Sequence, residues 1–154
     1  MAWGSEGIAE ALVLPSSFVD ASVFVYAFLK TKRKLQPNEA HIKEAAKKIV
    51  LRINNGEEVA TSTVHYSEVC NVLEDYLPIG EAFEIEKCLL LIDNLVIYEV
   101  AKEDYLKALS IAEELQVGAN DALAYVLMKK AGLSIIYSFD KDFDLFKDIK
   151  RSTE

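Results

Sequence analysis

The stretch N-D-A-L-A-Y-V-L-M-K-K-A-G-L-S-I-I-Y-S-F-D-K-D-F, residues 120–143, sets a helix, a stop, a strand and a carboxylate in direct succession. Residues 120–131 read as helix closed by Gly132, residues 134–138 as strand, and Asp140 stands at the strand's end. Residues 143–149 follow as a short helix or turn, with Phe143 anchoring the loop in the core. Outward from this unit the same alternation recurs. Residues 17–20 are a candidate strand, and the apolar run 21–29 reads as a buried helix, although Val23, Phe24, Val25 and Tyr26 also favour strand. Residues 31–38 are loop, with Pro37 as a stop and Asn38 as the cap of the next helix. In that helix Ile42, Ala45, Ala46, Ile49, Val50 and Ile53 recur at helical spacing until Gly56. Residues 57–61 predict a strand and 63–76 a helix with Val64, Val72, Leu73 and Tyr76 inward, broken by Pro78 and Gly80. A helix over 82–95, a strand over 96–100 and a helix over 102–116 closed by Gly118 complete the pattern.

Strands that alternate with longer helices imply a parallel sheet covered on both faces. The expected class is therefore α/β, a three-layer α/β/α sandwich around a central parallel sheet of four to five strands. Little sequence follows Phe146, so a final edge strand is expected short or absent. Residues 1–15, with Gly4, Gly7 and Pro15, read as an N-terminal extension, and residues 16–150 as one domain.

About half of the 154 residues are hydrophobic, enough to cover one core. The apolar stretch near the N-terminus, residues 8–13, contains Glu10 and is too short to span a bilayer, and no basic segment precedes it. A cytoplasmic protein with no membrane partner is expected. Cys70 and Cys88 lie in helical stretches without a C-x-x-C or a nearby His, which predicts two buried free thiols. The net charge of −8 excludes a protein that simply coats nucleic acid. Charge is nonetheless unevenly spread: residues 30–52 hold eight basic side chains against Glu39 and Glu44, a net +6, and the remainder carries −14. That segment is either a solvated loop and amphipathic helix or a phosphate-backbone rail beside an acidic pocket.

In a parallel α/β sheet, strand ends and the starts of the following helices share one edge, and ligand sites form there. Asp20 and Asp140 terminate strands and Asp121 opens a helix, so all three fall on that edge. Each is also explicable as a helix cap or first-turn carboxylate. Glu68 lies about 7 Å into its helix, within reach of the edge because helical side chains tilt toward the N-terminus. It shares a stripe with Val64 and Val72, and an inward carboxylate without a partner is costly. A divalent cation resolves that cost, and an all-oxygen donor set selects Mg2+ or Mn2+. The chemistry this supports is phosphodiester hydrolysis by metal-activated water.

Ser22 and Ser138, each two positions from an Asp, are candidate hydrogen-bond donors to the carboxylates or ordinary turn hydroxyls. Asp142 and Asp144 compete with Asp140 for completing the site. Asn120 reads as an N-cap, and His41 and His65 as partly exposed helix residues. No phosphate-binding glycine loop, dinucleotide fingerprint, zinc-protease or serine-hydrolase motif is present.

Four segments together resemble the PIN domain, a family of small Mg2+-dependent ribonucleases that includes the VapC toxins of prokaryotic toxin-antitoxin pairs. They are F-V-D-A-S-V, S-E-V-C-N-V-L, N-D-A-L-A-Y-V and I-I-Y-S-F-D-K-D-F, in this order over residues 17–146. The resemblance implies a catalytic quartet of Asp20, Glu68, Asp121 and Asp140 with Ser138 as an accessory hydroxyl, beside which Asp142 as a further metal residue and Ser22 as a second hydroxyl rest on their spacing alone. It implies an RNA substrate met by Lys32, Arg33 and Lys34, a Mg2+ or Mn2+ cofactor, an antitoxin protein as partner, and a homodimer. Two other functions compete. One is an inactive binding module on the same fold. The other is a haloacid-dehalogenase-type phosphatase, which needs a second Asp where this chain has Ser22.

Overall fold

The structure is a computed structural model describing residues 14–29 and 35–154. Its elements run β1 (Ser17–Val19), α1 (Ala21–Phe28), α2 (Pro37–Asn54), β2 (Val59–Ser62), α3 (Thr63–Tyr76), α4 (Ile79–Leu91) and β3 (Leu95–Tyr98). They continue with α5 (Lys102–Leu115), α6 (Ala119–Ala131), β4 (Ile135–Tyr137), a 3-10 helix (Lys141–Leu145) and β5 (Lys150–Ser152). Every strand pair is parallel, and the order across the sheet is β3-β2-β1-β4-β5. Parallel neighbours require crossover connections, and the helices supply them.

Strand alternation divides the core in two. Val19, Val59 and Tyr137 join Phe24, Ile49, Ile53 and Leu73 on the face covered by α1 to α4. Phe18, Ala60 and Ile136 join Leu123, Met128 and Phe143 on the face covered by α5, α6 and the 3-10 helix. The three-layer α/β/α sandwich expected from the sequence is the fold, with five strands.

The sheet order positions the site. From β1 the chain steps outward through β2 to β3, then crosses back to lay β4 on the other side of β1. At that reversal the connections leave β1 and β4 in opposite directions, opening a crevice at their carboxyl ends. The Asp20 N–H donates to the Tyr137 carbonyl at 3.0 Å, joining the two strand ends there.

Several local expectations are corrected. Pro37 does not stop a helix but opens α2 behind Gln36 at the cap, because a first helical residue has no N–H bond to lose. Pro78 does separate α3 from α4, standing at the cap of α4, whereas Gly80 breaks nothing and lies inside α4, which begins at Ile79. Gln116, in the left-handed region at φ 57°, closes α5, while Gly118 opens α6. On α3 Leu73 is buried as expected, but the other buried side chains are His65 and Val69, one position past the Val64 and Glu68 stripe, and Tyr76 is 72% exposed. The two cysteines are free, but Cys70 is half-buried and Cys88 exposed rather than buried. Lys32, Arg33, Lys34 and most of the expected N-terminal extension lie outside the described residues.

Candidate metal centre

Asp20 occupies the cap position of α1 yet makes no side-chain capping bond. Its carboxylate, 7% exposed, instead accepts at Oδ2 from the Ser22 hydroxyl at 2.9 Å and the Ser138 hydroxyl at 2.8 Å. Those hydroxyls also accept, Ser22 from the Phe139 N–H at 3.2 Å and Ser138 from the Asp140 N–H at 3.0 Å. The two serines thus knit the end of β1 to the end of β4. A carboxylate receiving two hydroxyl donors is held in one orientation.

Asp140 follows β4 and accepts the Asp142 N–H at Oδ1 at 2.9 Å, starting the 3-10 helix. Asp121 stands in the first turn of α6. Its carboxyl is pushed up to about 7, first by burial and then by the like charges of Asp140, Asp20, Asp142 and Glu68. Carboxylate oxygens of Asp121, Asp140 and Asp142 lie within 4.8 Å of one another. Asp144 faces elsewhere, paired through both oxygens with Arg151 at 3.0 and 3.2 Å.

Glu68 reaches the cluster from α3, half-buried, and is held by a residue whose role the sequence reading missed. Asn120 is not the cap of α6; its amide donates to Glu68 Oε1 at 2.6 Å and its Oδ1 accepts the Tyr105 hydroxyl at 2.8 Å. Behind them lies His65, expected partly exposed and in fact 1% exposed. Its Nε2 meets the Asn120 carbonyl at 3.1 Å, so Nε2 carries the proton, and Nδ1 accepts from the Ser62 hydroxyl at 2.6 Å. Ser62 in turn accepts the His65 N–H at 3.1 Å. Burial pushes the His65 ring below its ordinary value against the pull of Asp20 and Glu68, consistent with this neutral form. A Ser three residues before a His just ahead of Glu68 was the available signal.

The carboxylates of Asp121, Asp140 and Asp142, within 4.8 Å of one another and with Asp20 and Glu68 near enough to act on Asp121, form a donor set that fits a hard divalent cation. Beside the cluster lies a cavity of about 500 Å3. Phe139 and Lys141, the chain neighbours of Asp140, are on its wall, together with Lys48 and Arg52 from α2 and Arg151 from β5.

The class thus defined is an α/β/α sandwich with an acidic pocket at the switch point of its parallel sheet. The family model for the PIN domain matches residues 17–149, and the chain belongs to that family. Solved structures share its fold at low identity. VapC20 of Mycobacterium tuberculosis, described as a Sarcin-Ricin loop cleaving toxin, is 19% identical with a TM-score of 0.66, covering 87% of this chain and 97% of its own. A toxin-antitoxin complex from Klebsiella pneumoniae aligns at 12% identity and TM-score 0.62, over 90% of this chain and 98% of the other. VapBC2 from Rickettsia felis, bound to a DNA fragment from its promoter, aligns at 12% and 0.60, over 88% and 96%. No curated protein sequence matches the chain.

Proposed function

We propose that this chain is a Mg2+- or Mn2+-dependent endoribonuclease that hydrolyses RNA phosphodiester bonds and serves as the toxin of a toxin-antitoxin pair. The observation carrying this reading is the crowding of Asp121 by Asp20, Glu68, Asp140 and Asp142. Scaffold carboxylates are spaced to avoid such repulsion, whereas cation ligands require it. Asp20, Glu68, Asp121 and Asp140 would hold the cation, with Asp142 as a further ligand. A bound cation supplies a water of lowered pKa and neutralises charge developing at phosphorus. The chain's own task is orientation: Ser22 and Ser138 fix Asp20, and Asn120 fixes Glu68.

The cavity wall carries Lys48, Arg52, Lys141 and Arg151 against Glu44 and Glu154, and this cationic excess supports an anionic polymer lying alongside the pocket. Lys32, Arg33 and Lys34 extend the same basic segment in sequence. RNA as substrate agrees with what the similar Mycobacterium protein is described as cleaving. Exposed Ile79, Phe83 and Leu90 on α4 supply an apolar face of the kind that an antitoxin or a second copy would cover. Among the described residues no helix is long and apolar enough to cross a membrane.

The test is cleavage of a mixed cellular RNA preparation by the purified chain with Mg2+, with Mn2+ and with chelator. Metal-dependent fragments that disappear with Asp121→Asn are expected. Equal cutting by the variant would show that a contaminating nuclease, not this pocket, is responsible.

A further inference from the structure

A second cluster of ligand-type side chains lies between α3 and α4, apart from the acidic pocket. Cys70 and Glu74 sit one helical turn apart on α3, and Glu86 faces them from α4. One ligand atom from each, the Cys70 sulfur and a carboxylate oxygen of Glu74 and of Glu86, lies within 4.8 Å of the other two. Glu86 is the anomaly. It is 9% exposed, among the apolar neighbours Ala82 and Leu89, and its Oε2 has no hydrogen-bond partner among the described residues. An ionised carboxylate in that position is costly unless something positive meets it. Burial pushes the Glu86 carboxyl up, a hydrogen bond with the Cys70 thiol opposes this, a hydrogen bond and like charge from Glu74 add to it, and no basic side chain is among the groups acting on it.

We propose that Cys70, Glu74 and Glu86 form a second cation site, for a thiophilic divalent ion of the zinc class, which staples α3 to α4. One sulfur and two carboxylate oxygens suit zinc or cobalt, whereas Mg2+ avoids sulfur. Ligands four residues apart on one helix present to a common point, and the third comes from the adjoining helix. Glu74 is exposed and Cys70 half-buried, so an ion and a water completing four-coordination can enter. Binding displaces the thiol proton to solvent and leaves the thiolate on the metal. The Tyr66 hydroxyl donates to the Glu86 carbonyl at 3.1 Å, holding the two helices at this level. The ion bridges the hairpin whose first helix also carries Glu68, and the site is independent of whether the acidic pocket cleaves RNA.

The test is titration of the metal-stripped chain with Co2+ in a Cys88→Ser background, where Cys70 is the remaining thiol. A thiolate-to-cobalt charge-transfer band saturating at one equivalent is expected, displaced by Zn2+ and untouched by excess Mg2+. The band should vanish with Cys70→Ser, persist with Asp121→Asn, and need at least about tenfold more Co2+ with Glu86→Gln. Glu86→Gln keeps the side-chain shape and removes the buried charge, so the folded chain remains available for measurement. Thermal unfolding gives a second readout: a given Zn2+ concentration should raise the Tm of the parent more than that of Glu86→Gln. No band, or a band that survives Cys70→Ser, overturns the proposal and leaves Glu86 as a buried neutral acid.

Discussion

At the scale of single residues, Asp121 carries the sharpest consequences. Its carboxyl is pushed up to about 7, so the metal-free folded chain holds a proton that the unfolded chain releases above about pH 4. The resulting stabilisation is full below about pH 4 and is lost as pH rises to about 7. Asp121→Asn does not titrate. In chelator, its advantage over the parent in urea unfolding should grow across that window to about 1–2 kcal/mol, solvent screening having reduced the raw shift. The same variant should slow RNA cleavage at least about a hundredfold. Asn120→Ala tests the support behind the cluster. It strips Glu68 of a donor and the Tyr105 hydroxyl of an acceptor, costing about 1–2 kcal/mol by urea unfolding. It should also weaken Mn2+ binding, measured by calorimetry, by about 10–100-fold. The gathering of the acidic residues was legible in the sequence because strand ends and helix starts share one edge of a parallel sheet. Asn120, Tyr105 and His65 were not, because their parts depend on pairing across α3, α5 and α6, which spacing along one helix does not encode. The one-position shift of α3 shows the limit well: Val64 and Val72 flank Glu68 as expected, yet the deepest positions belong to His65, Val69 and Leu73.

At the scale of elements, local rules set type better than ends. Gly132 closes α6 at φ 74°, and a Cβ there would meet nothing within 4 Å. Gly132→Ala therefore isolates the backbone cost of the left-handed region, about 1 kcal/mol in chemical unfolding, with RNA cleavage unchanged. Loss of activity in that variant would mean that α6, and Asp121 with it, shifts when its far end is strained. Proline was the less certain guide, since Pro37 and Pro78 each stand at a helix start, where a missing N–H costs nothing. Strand β5 went nearly unseen because Lys150, Arg151 and Ser152 lack the apolar alternation of an inner strand, as suits an edge. Its Arg151 ties to Asp144 and to the Ser138 carbonyl, bracing the loop that carries Asp140.

At the scale of the whole molecule, charge is sorted: an acidic chain carries a cavity wall with a cationic excess beside its acidic pocket. Lys48→Ala combined with Lys141→Ala should raise KM for RNA severalfold, leave kcat and Mn2+ affinity near those of the parent, and lose its effect as salt rises. A fall in kcat alone would instead assign these lysines to positioning at the metal. The order β3-β2-β1-β4-β5 bears on the chain's birth as well as on its site. When the first hundred residues have left the ribosome, β1 to β3 can pair, but β1 stands as an open edge with Asp20 beside it and nothing yet to meet. Only when residues 135–152 arrive does β4 close that edge and bring Ser138 and Asp140 to Asp20. The proposed site stays incomplete until β4 emerges, and during that interval the bare edge of β1 is where a chaperone or a stray strand would take hold.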